Sequence, residues 1–233
     1  MPHLTPTLPM ENEPATTHYM AKQNRVTPFG DIVAVSARGL FMGNRGILHN
    51  EKQEVERPFR LKAWIICKLE FKGRRRPIMS PGRYTELFFL DEATALAAGH
   101  RLCYECQRDR SLAFRAAWVA GNPQYVDSPN PKISVIDNVL HAERMTKSWY
   151  VKDRRKKTYD AAIDTLPDGT FIVQDGTPLL VWNQFLYPWT PAGYEAPQPR
   201  PQSGSFTVLT PPSTVAALSY GYIPVLHSTI ENT

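Results

Sequence analysis

The sequence has few cysteines and no long apolar run. The chain of 233 residues contains only three cysteines, an odd number and too few for the disulfide framework of a small secreted domain. No segment approaches the roughly 18 consecutive apolar residues that a membrane-spanning helix needs. The first residues, Met-Pro-His-Leu-Thr-Pro, lack the basic start and apolar run of a signal peptide. We therefore expect a cytoplasmic protein of a reducing compartment that does not contact membranes.

Positive charge is in modest excess and is concentrated in two runs. The formal net charge is +5 and the isoelectric point is about 9.1. Such runs suit the phosphate backbone of a nucleic acid, although each is equally typical of a solvated surface. The first run comprises Lys68, Lys72, Arg74, Arg75 and Arg76, and the second comprises Lys152, Arg154, Arg155, Lys156 and Lys157.

The pattern of apolar residues predicts an ordered middle and an irregular start. Residues 1–24 are rich in Pro, Thr, Glu and Asn, and we expect them to be disordered. Order should begin near Val26, and Lys72-Gly73 predicts a hairpin turn after a strong strand. Strands are predicted within residues 31–42, 63–71 and 84–90, and helices within 92–98, 105–120 and 133–150. Asp91 is the predicted cap of the first helix, and Gly99 is its predicted end.

The last third of the chain has a different pattern. From about residue 158, short apolar segments recur at about ten-residue spacing, which predicts a small antiparallel meander. We predict an α+β fold in which a zinc-stabilised small sheet with two to three helices precedes a β-rich C-terminal half. The predicted units are a tail (1–24), a zinc-binding domain (25–121), a linker and helix (122–157) and a β-rich domain (158–233).

A pair of cysteines at short spacing indicates a metal site. Cys103 and Cys106 form a C-x-x-C motif, whose two thiolates can bind one Zn²⁺ from a tight turn. Cys67, far upstream on a predicted strand, is the obvious third ligand. A redox pair and plain buried cysteines are the alternative interpretations, because Cys67 lies in the apolar run Trp-Ile-Ile-Cys. Candidates for a fourth ligand are His49, His100, His141 and His227.

The segment around these cysteines resembles a known family. Residues 88–108 are similar to the zinc-binding N-terminal domain of the bacterial alkylation-repair and regulatory protein Ada. In that family an aromatic strand end precedes an alanine-rich helix, a glycine, an arginine and C-x-x-C. The resemblance implies bound zinc and contact with DNA in repair or regulation, with Cys67 on the strand that carries the first ligand. The residues that match in order are Ala93, Ala97, Ala98, Gly99, Arg101, Cys103 and Cys106.

Two departures from the family change what the resemblance implies. The family's second upstream cysteine is replaced by Phe71, and the proline before the C-x-x-C motif is replaced by Leu102. With at most three thiolates, the site carries less negative charge and its sulfur is a poorer nucleophile. Methyl transfer is therefore not expected. His49, which lies in a turn before the Cys67 strand, is the favoured replacement for the missing ligand.

Three functions remain open from the sequence. The leading one is a zinc protein that contacts nucleic acid, with DNA favoured, through Arg74, Arg75, Arg76 and Arg101, whose neighbours Trp64, Tyr84 and Tyr104 could stack on bases. The second is a metal-dependent nuclease or other hydrolase. Its candidate catalytic residues are Asp137 and His141, which lie four apart on a predicted helix, and these could equally form a hydrogen bond within that helix. The third is a structural zinc module for protein contacts.

Overall fold

The fold is α+β, as predicted, with two sheets and four α-helices in the described part of the chain. The computed structural model describes residues 21–74, 77–148 and 150–230. Most of the predicted disordered tail lies outside these residues. Its boundary was wrong by a few residues, because the first strand already begins at Gln23.

The first sheet is mixed, and its six strands lie within residues 23–102, which end just before the C-x-x-C motif. Its strands follow the order β2-β1-β5-β3-β4-β6. Most neighbours are antiparallel, but β1 pairs with β5, and β4 with β6, in parallel. Its strands are β1 (Gln23–Val26), β2 (Ile32–Ala34), β3 (Phe41–Asn44), β4 (Ile65–Lys68), β5 (Leu87–Phe89) and β6 (Arg101–Leu102).

The three predicted helices form, and each is shorter than the apolar pattern indicated: α1 (Glu92–Ala97), α2 (Arg108–Gly121) and α3 (Ile133–Arg144). A further helix, α4 (Pro212–Ser219), lies near the C-terminus. The Asp91 side chain accepts a hydrogen bond from the Thr94 backbone N–H at 2.8 Å, so it caps α1 as expected. In the described residues, no helix is long and apolar enough to cross a bilayer.

The second sheet is antiparallel, as predicted for the last third of the chain, but it is only partly a meander, because its last strand in sequence lies between its first two. Its main path is β11-β10-β9-β8-β13-β7, and β12 pairs with β10. Its strands are β7 (Tyr159–Ala162), β8 (Phe171–Gln174), β9 (Thr177–Trp182), β10 (Phe185–Thr190), β11 (Gly193–Tyr194), β12 (Gln198–Pro199) and β13 (Ser205–Val208).

The buried apolar residues join the two halves of the chain. One cluster packs Phe114 and Trp118 of α2 against Ala217 and Leu218 of α4. A second packs Ala93 and Ala97 of α1 against residues of the second sheet. Both clusters cross the predicted boundary at residue 158, so apolar burial in each half uses residues of the other.

The segment after β4 turns as predicted, but its described residues form no hairpin with β4. Lys72 and Gly73 both have positive φ, and the Arg74 N–H donates to the Phe71 carbonyl at 3.1 Å. Strand β4 pairs instead with β3 and β6. The turn therefore projects from the end of the strand that carries Cys67.

Candidate metal centre

The parallel pairing of β4 with β6 brings distant cysteines side by side. Ile66 is in register with Leu102, and the Cys103 N–H donates to the Ile66 carbonyl at 2.9 Å. The next residue on each strand is a cysteine. The register of two short strands therefore brings Cys67 beside Cys103, although 35 residues lie between them along the chain.

Side-chain alternation along β4 turns Cys67 away from the core. Ile66 is fully buried in the main apolar cluster, whereas Ile65 and Cys67 on either side are half-buried. Successive side chains of a strand point to opposite faces. Cys67 is therefore not a core residue, which removes the plain interpretation suggested by its apolar neighbours.

A tight turn after β6 supplies the other two sulfur atoms. The Gln107 N–H donates to the Cys103 carbonyl at 3.0 Å, and the Gln107 side chain donates to the Ile66 carbonyl at 3.0 Å. The ligand atoms of Cys67, Cys103 and Cys106 all lie within 4.8 Å of one another. The predicted convergence of the three cysteines is thus confirmed, at a separation that can hold a metal ion.

The three thiols influence one another's protonation strongly. A hydrogen bond from the Cys67 thiol, together with those from the backbone N–H groups of Cys106 and Glu105, lowers the pKa of Cys103 to about 5. The same thiol–thiol hydrogen bond and burial raise the pKa of Cys67 above its ordinary range. Burial raises the pKa of Cys106, which is also hydrogen-bonded to the Lys68 backbone N–H. The cluster thus stabilises one thiolate readily, and a cation in place of the shared protons would stabilise all three.

His49 is not part of the cysteine group, contrary to the prediction. Its Nδ1 lies 2.6 Å from the Thr85 hydroxyl and its Nε2 lies 3.2 Å from the Ser80 carbonyl. Both ring nitrogens therefore stabilise the loop before β5. His100, an alternative ligand, is fully buried against Arg45 and the Ala95 carbonyl. Among the described residues the group of possible ligands contains the three cysteines alone.

Arg101 and Asp137 have structural partners instead of the predicted functional ones. Arg101 donates from Nε and Nη2 to the two carboxylate oxygens of Asp137, each at 2.8 Å. Both side chains are at most 10% exposed. Arg101 is therefore not available for phosphate, and the Asp137 carboxylate is already neutralised.

His141 is not positioned as an acid–base partner of Asp137. Its ring packs edge-on against Phe59 at 4.9 Å between centroids, and its Nδ1 accepts a hydrogen bond from Arg144 at 3.3 Å. Burial and the nearby cations lower its pKa to about 4. The ring is thus neutral at pH 7, and the two residues of the hydrolase alternative have separate arginine partners, Arg101 for Asp137 and Arg144 for His141.

Cationic and aromatic side chains surround the cysteine turn. Arg74 forms an exposed ion pair with Glu105 at 2.7 Å, which ties the Lys72-Gly73 turn to the cysteine turn. Trp64, by contrast, is 1% exposed and cannot stack on a base. Arg75 and Arg76 lie outside the described residues. Lys72 and Arg74 lie over the ring of Phe71, and Arg108 lies over the ring of Tyr104. We name these five residues the knuckle surface.

Sequence reasoning missed Phe71 and Arg108 as members of this surface. Phe71 was noted only as the residue in place of a family cysteine, and Arg108 was assigned to a helix. Tyr104 lies in the turn before α2, so helical spacing gave no signal that it contacts Arg108. Comparison with protein-family models, with curated proteins and with solved structures finds no match to this chain.

Proposed function

We propose that this chain binds one Zn²⁺ through Cys67, Cys103 and Cys106 and contacts nucleic acid, preferentially DNA, through the knuckle surface. The observation that carries the proposal is the convergence of three sulfur ligands to within 4.8 Å of one another. A role in DNA repair or regulation, as the resemblance to the Ada domain implies, is part of the same proposal.

Zinc suits the donor set better than other common ions. Thiolates favour Zn²⁺, Cu(I) and iron–sulfur clusters over the harder Mg²⁺ and Ca²⁺. Backbone N–H groups directed at Cys103 and Cys106 disperse the negative charge that thiolates accumulate. Three protein ligands leave the fourth tetrahedral position to a water molecule or another external donor.

Metal analysis of the purified chain tests the zinc site. We expect about one zinc per chain, and an X-ray absorption spectrum with three sulfur neighbours. Replacement of any one cysteine, as in Cys67→Ser, Cys103→Ser or Cys106→Ser, should weaken zinc binding by more than the roughly 10–100-fold typical of losing an outer partner. His49→Gln is the matched control and should retain zinc. Native protein without bound metal would disprove this site.

The knuckle surface has the chemistry of a nucleic-acid contact. Lys72, Arg74 and Arg108 are exposed cations, and Tyr104 is 49% exposed. The ion pair of Arg74 with Glu105 is exposed, so it contributes little to stability and a phosphate can replace the carboxylate. Cations that bind phosphates and aromatic rings that stack on bases are the usual combination in single-stranded contacts.

Salt-dependent binding to oligonucleotides tests the interface. Arg74→Ala and Arg108→Ala should each weaken binding to DNA and reduce the slope of log K against log salt by about one. Arg57→Ala removes an exposed arginine outside the knuckle surface and should leave the slope unchanged. Zinc binding without any salt-sensitive binding to DNA or RNA would favour a structural zinc module that serves protein contacts.

A further inference from the structure

A second site lies away from the cysteines and gathers positive charge around a cavity. The cavity has a volume of about 240 Å³, and none of the three cysteines is among the described residues that line it. We call it the basic cavity. Asp31 is the one acidic residue of its described lining, against six basic residues: Arg45, Arg144, Lys152, Arg154, Arg155 and Lys156.

Two arginines of the basic cavity are buried without a carboxylate partner among the described residues. Arg45 and Arg144 are each 1% exposed, and both guanidinium groups lie about 4 Å from the centroid of the Trp64 ring. Their hydrogen bonds go to neutral acceptors, including the carbonyls of Gly30 and Gly99. Buried cations are normally paired with an anion, so this arrangement needs an explanation.

Part of the hydrogen-bonding capacity of both guanidinium groups is unused. Arg45 Nη2 and Arg144 Nε are buried and have no partner among the described residues. Native proteins leave few buried polar atoms in this state, and a bound ion is one established way in which such atoms are satisfied. Gly99 permits the close approach of Arg144, since a Cβ atom there would lie 2.5 Å from the Arg144 Cδ.

The remaining cations extend the basic cavity to solvent. Lys152 and Arg155 are exposed, while Arg154 and Lys156 are half-buried. The Lys156 ammonium donates to the Ala97 carbonyl at 2.8 Å, at the C-terminus of α1. Burial and the neighbouring arginines lower the pKa of Lys156 to about 7. Asp31 opposes this shift only in part, so burial and like charge outweigh the one carboxylate of the lining.

Size and charge together define the ligand class. A volume of about 240 Å³ is below the roughly 300–1,000 Å³ of sites that enclose a whole drug-sized molecule. Guanidinium groups match the oxygen atoms of phosphate through paired hydrogen bonds. We propose that the basic cavity binds the phosphate group of a phosphate monoester, with Arg45 and Arg144 at its base and Arg154 and Lys156 nearer solvent.

Calorimetric titration of the full chain with inorganic phosphate and with pyrophosphate tests this site. Both anions should bind, and both should raise the midpoint of thermal unfolding as their concentration rises. Arg154→Met and Lys156→Met should each weaken binding about tenfold or more, as expected for the loss of a charge-assisted hydrogen bond. Arg144→Met should abolish phosphate binding. If Arg144→Met does not fold, Arg154→Met and Lys156→Met still test the site, because they change more exposed residues.

Matched controls separate this site from general charge effects and from the metal centre. Arg38→Met removes an exposed arginine outside the cavity and should bind phosphate like the parent. Cys103→Ser should also bind phosphate normally, so failure of the zinc proposal and failure of this one are distinguishable. Absence of phosphate binding, or equal binding by the parent, Arg154→Met and Lys156→Met, would overturn the proposal.

The phosphate monoester can belong to a small molecule or to the end of a nucleic-acid strand. One oligonucleotide, prepared with a 5′-phosphate and with a 5′-hydroxyl, distinguishes these sources. A preference for the phosphorylated strand that is lost in Arg154→Met supports the site and assigns it to strand ends. Equal binding of both strands, alongside phosphate binding that depends on Arg154, supports the site and assigns it to a small phosphorylated molecule.

Discussion

At the scale of single residues, partners within the fold determine what the charged side chains do. Arg101 and Asp137 each carried a predicted function, and the structure pairs them with each other at 2.8 Å. The pair connects β6, which positions Cys103, to α3. Its first role is therefore to hold the strand that leads into Cys103.

Removing one member of this ion pair should be strongly destabilising. Asp137→Ala leaves the Arg101 charge buried and unpaired, so we expect a loss of about 3–5 kcal/mol in the free energy of unfolding. Urea denaturation measures it. The double variant Arg101→Met/Asp137→Leu should recover much of this loss, because it removes both charges. Unchanged stability in Asp137→Ala would contradict the structural role.

The role of each candidate histidine also depends on the residues that surround it in the fold. His49 and His100 were candidate ligands, yet each lies in a buried site with its own hydrogen-bond partners. Their positions along the chain gave no indication of these partners, which come from residues 36 and 55 positions away. Their separation from the cysteine group became evident only from distances between atoms, which spacing along the chain cannot supply.

At the scale of elements, helix α1 depends on residues from both halves. It has six residues, all of them buried, and a helix of this length is not stable alone. Its cap, Asp91, also accepts a hydrogen bond from the Tyr194 hydroxyl at 2.7 Å and from the His227 N–H at 3.2 Å. The cap therefore fixes β11 and the C-terminal segment as well as the helix.

Loss of this cap should affect more than helix α1. Asp91→Ala removes the cap and leaves the Tyr194 hydroxyl buried, so we expect a loss of about 3 kcal/mol in unfolding free energy. Tyr194→Phe removes one hydrogen bond and should lose about 1 kcal/mol. Thermal and urea unfolding measure both variants. Equal stability of Asp91→Ala and the parent would show that the Asp91 side chain does not stabilise the fold.

At the scale of the whole molecule, the two sheets share their apolar clusters and several hydrogen bonds. Trp189 of β10 donates to the Thr94 hydroxyl of α1 at 3.0 Å, and Glu92 is hydrogen-bonded to the Tyr222 hydroxyl. Helix α4 packs against α2. The cysteine group before α2 is therefore supported by residues more than 100 positions later in the chain.

A fragment that ends at residue 157 should not fold. It lacks α4 and the second sheet, so α2 and the alanine face of α1 would be exposed to water. We expect a poorly dispersed amide proton NMR spectrum for a fragment of residues 21–157, and a single unfolding transition for the full chain. A well-dispersed spectrum of the fragment would establish the first three predicted units as independent of the C-terminal half.

Local patterns in the sequence determined most of the secondary structure and two of the three clustered cysteines. Apolar alternation located the strong strands, and the cap at Asp91 marked the start of α1, because both signals arise from neighbouring residues. The C-x-x-C spacing identified Cys103 and Cys106 for the same reason. The sequence showed that the run from Lys152 to Lys157 is basic, but it did not show that Arg45 and Arg144 lie beside it.

Only the tertiary structure decided what the remaining side chains face. The register of β4 against β6 brought Cys67 to the other sulfur atoms, and packing against Trp64 brought Arg45 and Arg144 to the second basic run. Packing also gave Arg101, Asp137 and His141 structural partners in place of their predicted roles. Strand register and helix packing depend on the burial of the whole chain, so contacts between distant residues are not contained in any local pattern.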